Sequence, residues 1–181
     1  MLVRAARPDD ADQIAAVHVA AWRAAYGHVY PREFLDSDEF AQRRHERWRE
    51  WRLGPGERVA VATVDTEQRV DQPARPERII AFSWYGPERD RGRGHTGRGE
   101  ITAFYVEPAA WGAGAADTLM EFTELRLRAE GFVSGVLWVL TDNPRARRFY
   151  ERHGWTLTGI AGEFEMAGVR APEVEYRKEL S

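Results

Sequence analysis

The stretch FYVEPAAWGAGAADTLMEF, residues 104–122, decides the fold because a strand becomes a helix within it. Pro108, Gly112 and Gly114 separate the two elements. A helix N-terminus presents unpaired N–H groups and the positive end of a dipole, and glycine lets a ligand approach the backbone closely. The turn therefore predicts a phosphate or pyrophosphate site, although a glycine-rich turn that binds nothing has the same pattern.

Two familiar phosphate motifs do not match this turn. A dinucleotide-binding GxGxxG motif needs a third glycine at position 117, which is Asp117. A P-loop needs a lysine after its last glycine, and the chain's one lysine is Lys178.

Hydrophobic periodicity on either side of the turn predicts strands alternating with helices. Ile14, Val17 and Ala21 recur at helical spacing, and the apolar run at 134–140 is typical of a strand buried on both faces. The predicted strands are 2–6, 57–64, 77–85, 101–106, 134–140, 155–160 and 172–180; the predicted helices follow Pro8 and Pro31 and span 114–130 and 143–153; and the segments 66–76 and 86–99 are predicted loops.

The order of these elements predicts the fold class. A helix joins the strands at 101–106 and 134–140, so these two should be parallel. The other strands follow one another in a way that favours antiparallel pairing. We expect one α/β domain over residues 1–181, with a mixed, mostly antiparallel sheet and helices on both faces.

Composition excludes several classes of protein. The net charge of -3 argues against a nucleic-acid partner, whose phosphates usually require a basic surface. The absence of cysteine excludes disulfides, thiolate metal sites and a cysteine nucleophile. The sequence has no 18-residue apolar run and no signal peptide at its start, so we expect no membrane partner and a cytoplasmic location. The histidines show no metal-ligand spacing, and we expect no metal.

Two motifs, in the same order and at matching spacing, resemble the GNAT superfamily of acetyl-CoA-dependent N-acetyltransferases. The family's pyrophosphate loop, Q/R-x-x-G-x-G/A, follows a strand that ends in V-x-P. The second motif is N-x-x-A-x-x-F-Y-x-x-x-G-F/W. The matching positions here are Val106 and Pro108, the loop 111–116, and Asn143, Ala146, Phe149, Tyr150, Gly154 and Trp155. The departure is Trp111, which stands where the family usually has Gln or Arg.

The resemblance implies that the two parallel central strands splay apart and that the pantetheine arm of acetyl-CoA lies between them. It also implies a set of residues that contact this co-substrate: Phe104, Tyr105, Val106, Trp111, Gly112, Ala113, Gly114, Ala115, Ala116, Asn143, Ala146 and Phe149. Trp111 lacks the usual polar side chain but keeps its backbone donor.

Two side chains are candidates for the chemistry. Tyr150 matches the family's general acid, and its ordinary pKa near 10 would make proton transfer to a thiolate of pKa near 8.5 nearly balanced. Glu100 has the spacing of the catalytic glutamate of some relatives and is the candidate base. The alternatives are a tyrosine that only packs in the core and a solvated glutamate, with water serving as the base.

The acceptor site is expected in the first half of the chain. His18, Trp22 and Tyr26 share one side of the first helix, and Trp84 ends a strand near the same region, although all four also suit a core. The arginine-rich segment 88–98 suits either a lid or anion clamp at the acceptor site or a solvated loop.

The sequence thus favours an N-acetyltransferase that moves acetyl from acetyl-CoA to a primary amine of a small molecule or peptide by direct attack. One alternative is a non-catalytic acyl-CoA-binding sensor or interaction module. Another is acetylation of an amine carried by a protein or a tRNA. Relatives often form homodimers, so a homodimer is a further expectation.

Overall fold

The computed structural model describes residues 1–65, 77–91 and 96–180. Seven strands form one sheet in the order β1-β2-β3-β4-β5-β7-β6. Within it β4 and β5 are parallel, and the other neighbours are antiparallel. The strands are β1 Leu2–Ala5, β2 Arg58–Asp65, β3 Glu77–Pro87, β4 Gly99–Val106, β5 Ser134–Leu140, β6 Thr156–Met166 and β7 Val169–Glu179.

Five α-helices accompany the sheet in the described part of the chain: α1 Ala11–Ala25, α2 Arg32–Leu35, α3 Asp38–Arg49, α4 Ala115–Ala129 and α5 Pro144–Arg152. Leu119 and Leu127 of α4 pack on one face of the sheet in the cluster that contains Ile101. Ile14 of α1 and Trp48 of α3 pack on the opposite face. The sheet is therefore covered on both faces, as the sequence predicts.

The parallel pair β4 and β5 separates along its length. Its register joins Gly99 to Gly135 and Ile101 to Leu137, and no pairing follows although both strands continue. On the other side of β4, Ala103 pairs with Trp84 while Ile101 pairs with Tyr85, so a register shift falls at the same level. A bulge of this kind bends and twists its strand. The cleft predicted between the two central strands opens here.

The structure confirms the predicted order of elements and corrects several boundaries. The helical stretch after Pro31 is divided, because the Ser37 side chain accepts a hydrogen bond from the Phe40 N–H (3.1 Å) and starts a new helix. Trp51 lies beyond α3 with a φ of 46°. The last two strands form a longer hairpin than predicted. The predicted loop 66–76 lies outside the described residues.

Across the described ranges, no helix combines the length and the apolar character needed to cross a membrane.

A buried carboxylate joins α4 to β7 and to the residue that precedes β6. Glu124 accepts hydrogen bonds from the Trp155 indole (2.9 Å) and from the Lys178 ammonium (2.7 and 2.8 Å). The Lys178 side chain is 23% exposed and that of Glu124 only 9%. The chain's one lysine therefore neutralises a carboxylate that is largely withdrawn from water.

Lys178→Met should lower the free energy of unfolding by about 1–3 kcal/mol, because it leaves the Glu124 carboxylate without its charged partner. Urea unfolding measures this change. The control is Arg177→Met, whose exposed pair with Glu179 should contribute less than about 0.5 kcal/mol. Equal losses in the two variants would contradict the role of Lys178.

Candidate active site

One continuous cavity of about 840 Å³ runs along the cleft between β4 and β5. At one end it reaches the turn before α4, and in the middle it passes between β4 and α5. At the other end it is lined by side chains of α1, β6 and β7. The predicted phosphate loop, the predicted acid and part of the predicted acceptor pocket therefore border the same space.

The two glycines of the turn before α4 share a left-handed backbone conformation. Gly112 (φ 78°) and Gly114 (φ 82°) are both in the left-handed region, which favours glycine, and Gly114 immediately precedes α4. The first N–H groups of α4 have no partner within the helix, so this end of the cavity offers backbone donors and a positive dipole. It suits a diphosphate.

Two loop residues that were expected to contact the co-substrate, Ala113 and Ala115, do not line the cavity. The Ala113 N–H donates to the Ala110 carbonyl at 3.3 Å, and Ala113 does not line the cavity. Ala115 turns its side chain into the core and is fully buried. Because α4 presents one side to the sheet, its first residue cannot also present its methyl group to a ligand, and only its backbone N–H remains for that purpose.

Trp111 is fixed at the rim of the turn. Its indole N–H donates to the carbonyl of Val106 at 3.0 Å, so the ring closes over the end of β4. The guanidinium of Arg145, from the first turn of α5, lies 3.9 Å from the ring centroid. At this distance a cation is attracted to the face of the indole.

The middle of the cavity lies between β4 and α5. Phe104 and Phe149 stack with ring centroids 5.6 Å apart, and Ala146 and Asn143 also line this part. The Asn143 side-chain oxygen Oδ1 accepts a hydrogen bond from the Ala146 N–H (3.1 Å) and caps α5. The sequence predicts that Asn143 opens this helix, and the resemblance implies that it helps hold the pantetheine arm. Its side-chain oxygen is used in the cap, and its side chain also forms a hydrogen bond with the Tyr26 phenol.

Tyr150 lines the cavity from α5 and is buried. Burial raises its pKa well above the ordinary value near 10, and the neighbouring Tyr105 phenol raises it further. The side chain therefore keeps its proton at neutral pH, as a general acid must. The transfer of that proton to a thiolate is less balanced than the ordinary tyrosine pKa suggests.

Two other tyrosines share this region. Burial raises the pKa of Tyr26 strongly, with smaller contributions from Tyr105 and Tyr150, and burial also raises the pKa of Tyr105. The sequence reasoning gave Tyr105 only a backbone role, yet its side chain lies between α1 and α5 and lines the cavity. No local pattern identifies it, because three separate elements bring the three phenols together.

Glu100 does not line the cavity. It is 1% exposed, and Arg89 surrounds its carboxylate through the backbone N–H (2.9 Å) and the guanidinium (2.6 Å at the shortest contact). The physical reason is its level in the sheet. Glu100 pairs with Val136, where β4 and β5 are still joined and the cleft has not opened.

His18 and Trp84, two predicted acceptor residues, also lie outside the cavity lining. Trp84 packs against Trp48 of α3 (5.7 Å between ring centroids), because it points to the same face of β3 as Phe82. His18 stacks on Tyr105 at 4.7 Å and accepts a hydrogen bond from the Trp48 indole. Burial lowers the pKa of His18 well below its ordinary value, so it is neutral.

The end of the cavity farthest from the glycine turn is aromatic and charged. Trp22 and Tyr26, two of the residues expected at the acceptor site, line it together with Phe164 of β6. Glu173 is buried there and pairs with Arg91 at 2.6 Å, while Arg91 lies 4.4 Å from the Trp138 ring centroid. The two arginines at 89 and 91 are therefore anchored at the cavity. Arg93 and His95 of the same segment lie outside the described residues.

No group of three or more His, Cys, Asp or Glu side chains suited to a metal ion occurs within residues 1–65, 77–91 and 96–180.

The sequence profile of the Acetyltransferase (GNAT) family matches residues 16–155, which include the glycine turn, Tyr150 and both central strands. The chain belongs to the GNAT acetyltransferase family. It is accordingly an acetyl-CoA-dependent acyltransferase with acetyl-CoA as its co-substrate.

Individual relatives agree with this membership. YuaI, an uncharacterized N-acetyltransferase of Bacillus subtilis, is 30% identical over 173 residues, which cover 95% of this GNAT chain and 89% of YuaI. Among solved structures, the PaiA N-acetyltransferase of Thermoplasma acidophilum in complex with coenzyme A has a TM-score of 0.68 at 14% identity, covering 98% of each chain. The ribosomal-protein-alanine N-acetyltransferase of Brucella melitensis has a TM-score of 0.65 at 20% identity, covering 99% of each. At these identities the two structures show the shared GNAT fold.

Glu100→Gln in this acetyltransferase should leave the pH–rate profile unchanged and lower the melting temperature, because Arg89 loses its charged partner while Glu100 itself lies outside the cavity lining. The measurement is initial rate against pH, with thermal unfolding beside it. Glu88→Gln, which removes the partner of Arg98 outside the cavity, is the control for a lost ion pair. If the decrease in rate at acidic pH disappeared in Glu100→Gln but not in Glu88→Gln, Glu100 would be the base.

Proposed function

We propose that this enzyme transfers the acetyl group of acetyl-CoA directly to a primary amine of a small molecule or peptide. The observation that carries the proposal is the single cavity that joins the glycine turn to Tyr150 and then to the aromatic end. A diphosphate at the turn and an amine at the aromatic end would meet along the cleft. Direct attack needs both substrates in one space, and this cavity offers it.

The open edge of β4 supports binding of the pantetheine arm. Beyond Ile101 the side of β4 that faces β5 has no strand partner, so its backbone donors and acceptors are available to an extended ligand. The amide groups of pantetheine would pair there, and a β4 N–H in residues 104–106 would donate to the oxyanion formed during attack.

Tyr150 is the proposed general acid. Attack of the amine on the thioester carbon forms the C–N bond, and collapse of the intermediate breaks the C–S bond and releases a thiolate. Tyr150 would donate its phenolic proton to that thiolate. Its raised pKa supports a donor that is protonated throughout the neutral range.

The amine's own proton would pass to water in the cavity rather than to Glu100. The arginine contacts of Glu100 and its place below the cleft support this choice. Glu173, the buried carboxylate that does line the cavity, is paired with Arg91 and would orient rather than deprotonate the amine.

The aromatic end supports an acceptor with an apolar or cationic body. Trp22, Tyr26 and Phe164 offer ring faces, and Glu163 and Glu165 add carboxylates at the rim of the cavity. Cations bind well both to aromatic faces and to carboxylates. The acceptor we propose is therefore an amine carried on an apolar or cationic body.

The experiment that tests the function is a panel of amines incubated with acetyl-CoA, read by release of free thiol. The panel should include amino acids, polyamines, aminoglycosides and short peptides. Acetylation of at least one amine supports the proposal, and stabilisation by coenzyme A without turnover of any amine would favour the sensor alternative.

Tyr150→Phe should lower kcat by at least about 100-fold, because the thiolate loses its proton donor. In the wild-type enzyme the pKa of Tyr150 is raised above its ordinary value of about 10, so the phenol keeps its proton in alkaline solution. The wild-type rate should therefore not decrease between neutral pH and about pH 10. Single-turnover rates measured against pH test both statements. Wild-type turnover in Tyr150→Phe, with chemistry rate-limiting, would contradict the assignment.

Trp22→Phe should raise the KM for the amine about 3- to 10-fold and leave the KM for acetyl-CoA unchanged, because it removes part of an apolar contact at the acceptor end. The matched control is Trp84→Phe. Trp84 packs against Trp48 and lies outside the cavity lining, so this variant makes the same substitution away from the acceptor end. Steady-state kinetics with each substrate varied in turn provides the measurement. An unchanged amine KM in Trp22→Phe would place the acceptor elsewhere.

A further inference from the structure

Arg145 lies against the first residue of the glycine turn. Position 111, the first of the loop, is tryptophan, and the Arg145 guanidinium lies 3.9 Å from the centre of that ring. The ring is itself held by the hydrogen bond from its indole N–H to the Val106 carbonyl. A tryptophan at this position thus provides a platform for a cation that comes from another element.

The same side of α5 carries two more arginines. Arg145, Arg148 and Arg152 are spaced i, i+3 and i+7, and all three line the cavity together with Gly112 and Gly114. Arg147, on the other side of the helix, instead donates to the Tyr176 hydroxyl at 3.1 Å. The positive stripe therefore faces the glycine turn.

Within the described residues, no carboxylate forms an ion pair with Arg145, Arg148 or Arg152. Arg147, the remaining arginine of α5, also contacts the Thr141 carbonyl and is satisfied within the fold. A guanidinium held over a ring face keeps the N–H groups on its edge available, and these groups match the geometry of phosphate oxygens. The stripe thus presents donors to an anion in the cavity.

We propose that Arg145, held over Trp111, is a diphosphate-binding residue of this enzyme and supplies the cation that position 111 itself lacks. The proposal rests on acetyl-CoA binding along the cavity as described under the proposed function. Trp111 and Arg145 act as one unit, in which the indole positions the guanidinium and the guanidinium binds the ligand. Arg148 and Arg152 extend the positive field along the same face.

The test is the affinity for coenzyme A, measured by isothermal titration calorimetry, together with the KM for acetyl-CoA. Arg145→Ala should weaken binding at least about 10-fold, the contribution of one charge-assisted hydrogen bond, and Arg145→Glu should weaken it further. The dependence of wild-type affinity on salt should be steeper than that of Arg145→Ala, since one charge interaction has been removed. Arg145 is exposed, so these variants should keep their melting temperatures.

The matched control is Arg147→Ala, which removes an arginine from the same helix on the side that does not line the cavity, and it should bind coenzyme A as the wild type does. Trp111→Phe keeps an aromatic face and should stay within about 3-fold, whereas Trp111→Leu should approach Arg145→Ala. In the double variant Trp111→Arg with Arg145→Ala, an arginine at the loop position should recover part of the lost affinity.

The outcomes separate this inference from the proposed function. If the wild-type enzyme binds coenzyme A and Arg145→Ala and Arg145→Glu bind it equally well, Arg145 has no role in binding while the function stands. If the wild-type enzyme does not bind coenzyme A at millimolar concentration, the proposed function fails together with this inference. A loss of affinity in Arg145→Ala that Arg147→Ala does not share supports the assignment.

Discussion

The partial pairing of β4 and β5 is the constraint on which the rest of the structure depends. The two parallel strands are joined only from Gly99 to Ile101 on one side and from Gly135 to Leu137 on the other. A strand edge that loses its partner inside a protein carries backbone groups that need hydrogen bonds from elsewhere. The β4 side of the cleft therefore offers backbone donors and acceptors that suit an extended ligand.

The elements around the cleft place different chemistry at different distances along it. At the end of β4 the chain turns through two glycines in the left-handed conformation, which leaves the N-terminus of α4 bare. After β5, the Asn143 cap starts α5, and this helix carries the arginine stripe toward the turn and Tyr150 toward the core. In the function that we propose, this one short helix would therefore contact both the diphosphate and the leaving thiolate.

Much of the fold follows from local patterns. Alternation along the strands, helical spacing in α1 and α4, and the two glycines at the turn predict the elements, their order and the parallel central pair. The same reasoning identified Trp22, Tyr26 and Tyr150, which do line the cavity. It did not locate side chains whose surroundings depend on their depth in the fold. The spacing of Glu100 suggests a residue at the mouth of the cleft, yet it lies where β4 and β5 are still paired, and Arg89 binds its carboxylate. His18 and Trp84 have suitable side chains and face the α3 side.

The sequence by itself determined the family resemblance, the mixed sheet and the position of the phosphate turn, because each depends on residues close together in the chain and on strict periodicity. Only the tertiary structure decided which side chains share the cavity. The pairing of Arg145 with Trp111 joins residues 34 positions apart, and that of Arg91 with Glu173 joins residues 82 apart. Such contacts depend on where strands separate and which face each helix presents, and no local spacing encodes either.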